Sequence, residues 1–189
     1  MADYYFDIET NPSMPDPKPN DEILTIQFQQ IDIRTGEIKG DLNILKSWES
    51  SEKDILQTFY SIFNPEDSWK FVPVGCNLSF DFFSLLYRWR EIGINVSPRI
   101  LFRDHPYIDI KSILILFNKG SFSGAKLGKF IGKPDSGIKV AEWYTEKDYI
   151  SIQEYIEDEV GKFIELYQFL IGRLPNIWLE FAKIHKLII

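Results

Sequence analysis

The sequence has a single cysteine, Cys76, and only two histidines, His105 and His185. One cysteine excludes an intramolecular disulfide and a cysteine-rich zinc site, and two histidines supply too few ligands for a histidine-based one. No apolar run reaches the ~20 residues of a membrane-spanning helix. The start, MADYYFDIET, carries acids where a secretory signal carries basic residues. A cytoplasmic protein with no membrane partner is expected. Excess positive charge is missing too. The net charge is −7, which argues against bulk coating of nucleic acid but leaves room for local engagement of one strand end. With no internal repeat and no linker, residues 1–189 read as a single domain.

Apolar periodicity supplies the elements. Asp3 to Thr10 reads as a strand, followed by a polar, proline-rich loop, NPSMPDPKPND. In ILTIQFQQIDI, Leu24, Ile26 and Phe28 alternate with Thr25, Gln27 and Gln29, the pattern of a half-buried strand. RTGE is turn chemistry, and IKGDLNIL returns as an antiparallel partner. Ser51, with Asp54 three residues on, opens a helix carrying Ile55, Leu56, Phe59, Ile62 and Phe63. A buried strand, WKFVPVGC, leads into a helix, LSFDFFSLLYRWREIGI. Helices are then expected around Ile108 to Phe117, Ala125 to Ile131 and Tyr149 to Ile171, with Pro175 breaking the last before a short terminal helix. Meander first, alternation next and helices last describe an α/β domain with a mixed sheet.

Three places carry unusual acids. In YYFDIETNP, Asp7 and Glu9 leave the same face of a strand, about 6–7 Å apart along it. Same-face carboxylates repel, and hard oxygen ligands of this kind suit magnesium, calcium or manganese; D-x-E alone also fits a solvated edge. Asp81 sits among Phe80, Phe82 and Phe83 in the first turns of its helix, with most of these rings expected in the core. Asn77 lies four residues earlier, a helix cap or a neighbour of Asp81. In DYISIQEYIEDEVGKFIELY, an apolar stripe of Ile150, Ile152, Ile156, Val160, Phe163, Ile164 and Tyr167 leaves Tyr155 and Glu159 together one turn apart, with Asp158 the neighbouring acid.

These three segments, in this order, resemble the motifs of the DEDD superfamily of 3′→5′ exonucleases, over roughly Asp3 to Tyr167. FDIET resembles the first motif, including Thr10. GCNLSFDFFSLLYRWREIGI resembles the second, with Asn77, Asp81 and a following Arg88. YIEDEV resembles the tyrosine-bearing third motif, Y-x-x-x-D-V. YIDIKSIL and KLGKFIG…EWY are similar to the connecting helices of the proofreading domain of family-B DNA polymerases. The pattern departs at one position, where Glu159 replaces the fourth aspartate. The histidine form of the third motif fails, because the residue five after His105 is Ile110.

The resemblance implies an RNase H-like exonuclease fold and two Mg²⁺ or Mn²⁺ ions. Asp7 would bridge the ions, Glu9 and Glu159 would hold one, and Asp81 would support the other. It implies that Tyr155 orients the nucleophile and that nucleoside 5′-monophosphates leave a single-stranded DNA or RNA 3′ end, with a polymerase or repair factor as a further partner. Thr10 and Asn77 fall in the nucleic-acid-binding motifs. Lys126, Lys129 and Lys133, within a segment of five lysines and one acid from Lys119 to Lys139, are either phosphate contacts or a solvated surface. The extra methylene of Glu159 favours a competing expectation, an impaired exonuclease fold that serves as a nucleic-acid- or protein-binding scaffold.

Overall fold

The computed structural model describes residues 2–12, 17–133 and 137–187. Part of the proline-rich loop (13–16) and of the lysine-bearing segment (134–136, with its acid Asp135) lies outside them. Strands β1 (Asp3–Asn11), β2 (Glu22–Ile31), β3 (Ile38–Lys46), β4 (Val72–Gly75) and β5 (Ile108–Asp109) form a mixed sheet in the order β3-β2-β1-β4-β5. β1, β2 and β3 pair antiparallel, while β4 runs parallel to β1 and β5 parallel to β4. The expected meander and mixed sheet are both present.

The alternation of β1 sends its side chains into two cores. Phe6 and Ile8 pack with Ile26, Phe28 and the helices α1 (Glu52–Phe63) and α2 (Leu78–Glu91). Phe6 stacks on Phe59 at 5.2 Å, and Trp89 donates its indole N–H to the Leu56 carbonyl. Tyr5, facing the other way, packs with Val74, Leu114 of α3 (Lys111–Phe117) and the stripe of the long helix α6 (Tyr149–Ile184). The short α4 (Leu127–Phe130) and α5 (Gly137–Glu146) lie on this second side, where α5 contributes Val140. No described helix is long and apolar enough to cross a membrane.

The structure departs from several of these expectations. β2 is buried on both faces: Thr25, Gln27 and Gln29 are as enclosed as their apolar neighbours, because helices cover both sides of the sheet. Ile108 and Asp109 form an edge strand rather than helix, since pairing with β4 takes their backbone. Periodicity gave no sign of α5; of the expected elements only the EWY stretch, likened to a connecting helix, falls within it. Ile150 drops out of the α6 stripe and is exposed, while Leu170 extends it. Pro175 does not break α6. It is exposed, so the carbonyl one turn earlier that loses its usual donor can be hydrated, and Asn176 donates its side-chain N–H to the neighbouring Gly172 carbonyl.

Two local devices fix the start of α2. Asn77 adopts the left-handed conformation (φ 71°) that Asn tolerates, and its backbone N–H donates to Asp109 Oδ1 at 2.8 Å. Its side chain is exposed and makes no capping bond, so it stands at the cap position without capping. At Gly75 a Cβ would lie 2.6 Å from the Phe6 carbonyl and from Leu78 Cδ2, so only glycine lets β4 approach β1 this closely.

Candidate metal centre

Asp7 and Glu9 lie on the α6 side of β1, opposite Gln27 and Thr25 of β2. The β1–β2 register shifts between Glu9 and Thr10, a bulge of the kind that re-aims side chains next to a site. From α6, Glu159 meets them: one carboxylate oxygen from each of Asp7, Glu9 and Glu159 lies within 4.8 Å of the others. Each of the three keeps part of its surface open. Asp81, at the start of α2, is buried and outside this trio, yet its charge reaches Glu9 and it feels Asp7 in turn.

The electrostatics are those of crowded acids. Burial and the Glu159 carboxylate push Asp7 up to about 8, even though Gln27 Nε2 donates to its Oδ2 at 3.2 Å. Burial, Asp7 and Glu159 raise Glu9 well above the ordinary carboxylate range. Burial, Asp7 and Asp109 do the same to Asp81. Tyr5, whose hydroxyl stands 3.5 Å from Asp7 Oδ2, is driven upward by burial and by these acids, so it stays a phenol. The Cys76 thiol is pushed up to about 12 by burial and Asp109, which removes it as a thiolate ligand at neutral pH.

The donor set fits a hard divalent cation. It consists of carboxylate oxygens converging from two elements, with proton uptake as the alternative to a cation. Lys133 Nζ lies 3.2 Å from Glu159 Oε2, and its side chain is only 8% exposed. A cleft of about 340 Å³ opens beside it, lined by Lys133, Lys139, Trp143, Tyr155, Asp158 and Lys162.

Tyr155 lies one turn from Glu159, its ring 6.1 Å from Trp143. Asp158 is exposed and bonds Lys162 at 3.0 Å. Thr10 is buried beside the bulge. Lys126 immediately precedes α4, and Lys129 donates to Asn118 Oδ1 at 2.8 Å across the turn before that helix. Arg88 grips Glu52 through two nitrogens and the Asn20 carbonyl, tying α2 to α1. Of the three rings around Asp81, only Phe82 is core; Phe83 is half exposed. His105 is structural, its Nε2–H donating to the Phe71 carbonyl. Sequence reading missed Gln27, Tyr5 and Asp109. An amide directly across a β ladder from an acid was the available sign for Gln27.

The chain has the RNase H-like exonuclease fold. A structure of exonuclease I superposes with a TM-score of 0.61 at 13% identity, over 97% of this chain and 43% of that one. The zinc-bound form of an E. coli exonuclease I–single-stranded DNA complex gives 0.62 at 13%, over 94% and 42%. E. coli exonuclease I with a dT13 oligonucleotide gives 0.57 at 12%, over the same shares. The chain therefore spans well under half the length of these proteins. No family model and no curated protein sequence matches it.

Proposed function

We propose that residues 1–189 act as a divalent-metal-dependent 3′→5′ exonuclease of the tyrosine-type DEDD class, working on single-stranded DNA ends. The observation that carries this is the convergence of Asp7, Glu9 and Glu159, with Asp81 close by, on an exonuclease fold. Similar folds bound to single-stranded DNA favour DNA over RNA. Asp7, Glu9, Asp81 and Glu159 would hold two Mg²⁺ or Mn²⁺ ions. When bound, these supply the positive charge that the developing phosphoryl and leaving oxygens need. Tyr155 orients the attacking water through its hydroxyl. Gln27 holds Asp7 at Oδ2, fixing the carboxylate from behind. The Trp143 and Tyr155 rings, with Lys139 and Lys162, offer the cleft a stacking surface and cations for the strand end.

Oligonucleotides labelled at the 5′ end and at the 3′ end, as DNA and as RNA, test this with Mg²⁺, with Mn²⁺ and with EDTA. A 5′-labelled DNA strand should shorten step by step, and a 3′ label should leave at once as a mononucleotide. Binding without shortening in every metal would favour the scaffold instead.

A further inference from the structure

Past Leu170 the helix α6 leaves the core, but its apolar stripe does not stop. Ile156, Val160, Phe163, Tyr167 and Leu170 pack into the second core. Leu174, Ile177, Phe181 and Ile184 continue the same alternation of four- and three-residue steps, the seam of a two-helix coiled coil. The outer part of that seam has no cover, since from Pro175 to Ile184 every residue but Ala182 is exposed. Ile177 keeps 58% of its surface open, Phe181 49% and Ile184 75%. At the root of this overhang an apolar cleft of about 430 Å³ is lined by Phe117, Phe169, Leu170, Leu174 and Ile177. A contiguous apolar face of this kind marks an interaction surface, where scattered exposed side chains would not.

The charges beside the seam select the occupant and its direction. Arg173 and Glu180 also line the cleft, and their seven-residue separation puts them on one edge of the seam. Arg173 lies over the Phe169 ring at 5.8 Å. Among the described residues, neither Arg173 nor Glu180 forms an ion pair within its own chain. In an antiparallel pair of identical helices this edge meets its own counterpart. Arg173 of each copy would then face Glu180 of the other, twice over, by two-fold symmetry. In a parallel pair the edge would instead meet Trp178 and His185 of the second helix, and Arg173 would gain no opposite charge. The antiparallel register also brings Phe181 of each copy to Leu170 of the other, at the cleft.

We propose that the overhang of α6 is a homodimer interface, in which two copies pair antiparallel through Leu174, Ile177, Phe181 and Ile184 with an Arg173–Glu180 bridge on each side of the two-fold axis. The overlap, from Leu170 to Ile184, is about 20 Å of helix. It buries less than the ~800 Å² per partner of a standard interface. The dimer is therefore weak, half-formed at roughly 10–100 µM. It leaves the acids uncovered, because Glu159 lies about 16 Å back along the helix from Leu170.

Sedimentation velocity of residues 1–189 across about 1–500 µM, a range that brackets this affinity, tests the proposal. Wild type should pass from monomer to dimer. Ile177→Asp, at an exposed position, should weaken the dimer more than about tenfold while melting like wild type in dilute solution. Should that variant melt lower, Ile184→Asp, farther from the core, carries the same expectation. Arg173→Glu and Glu180→Arg should each weaken association roughly three- to tenfold by setting like charges face to face. The double variant, with the charges exchanged, should return to within about twofold of wild type. A monomer at every concentration would overturn the inference, as would a dimer that both aspartate variants leave intact. A double variant as weak as the single ones would overturn the antiparallel pairing. A monomer that floats with phosphatidylcholine–phosphatidylserine vesicles would overturn the dimer in favour of a helix lying on a lipid surface.

Discussion

Asp7 binds a proton in the metal-free fold that the unfolded chain would have released. Its carboxyl is pushed up to about 8 from an ordinary 3.8, so between these values the folded state holds more protons than the unfolded one. Stability must then fall as pH rises from about 4 to about 8. Melting in EDTA should drop across that window, the Asp7→Asn variant should drop less, and Mn²⁺ should flatten the wild-type slope. An identical slope in Asp7→Asn would remove Asp7 as the source. Glu159 gives a second test at this scale. Shortening it to aspartate withdraws the carboxylate from Asp7, Glu9 and Lys133. Glu159→Asp should therefore lose activity on the order of 10²-fold, the cost of an ångström-scale misplacement, and Glu159→Gln should be at least as damaging. Asp158→Asn, on the exposed side of the helix, should be nearly silent in the same assay. A gain of activity in Glu159→Asp would mark the glutamate as a lesion.

Elements were legible in the sequence wherever periodicity and a local signal agreed. Ser51 accepts the Asp54 N–H as its spacing suggested, and the alternation of β1 sorts Tyr5 from Phe6 into different cores. The edge strand β5 was not legible, because two residues carry no period and only its pairing with β4 defines it. The continuation of α6 past Pro175 was hidden for another reason: proline disfavours a helix interior by its missing N–H and its ring's clash with the carbonyl one turn back. The exposure that lets water reach that carbonyl here leaves no mark in the local sequence. Pro175→Ala should restore that bond. It should raise hydrogen-exchange protection in the turn that follows Gly172, by about 1–3 kcal/mol locally, with no change in nuclease activity. Gly75 is the more consequential position. In Gly75→Ala the new methyl meets the Phe6 carbonyl and Leu78, so β4 and the start of α2 must move, and Asp81 with them. A loss of about 2 kcal/mol in urea unfolding, with weaker Mn²⁺ binding, is expected. Wild-type metal binding in that variant would separate the β4–β1 contact from the site.

At the scale of the molecule, the fold works by bringing β1 from the middle of the sheet against the inner face of α6. That places acids separated by 150 residues within 4.8 Å. Strand and helix periods put each of these acids on a definite face, but it was the resemblance to the exonuclease motifs that joined them into one set. The sequence did not reveal Lys133's seat, which depends on how a turn without helical or strand period folds back onto α6, nor Asp109, whose strand is too short to detect. A fold that assembles repelling carboxylates should gain stability from a cation bound only in the folded state. Mn²⁺ at about 100 times its dissociation constant should raise the melting temperature by roughly 5–10 °C. The most direct measurement is a time course on a 5′-labelled single-stranded DNA with wild type and Asp7→Ala, in Mn²⁺ and in EDTA. The expected result is a ladder shortening one nucleotide at a time from the 3′ end, only with wild type and only with metal. Equal shortening by Asp7→Ala, or by wild type in EDTA, would contradict a metal-dependent nuclease built on these acids.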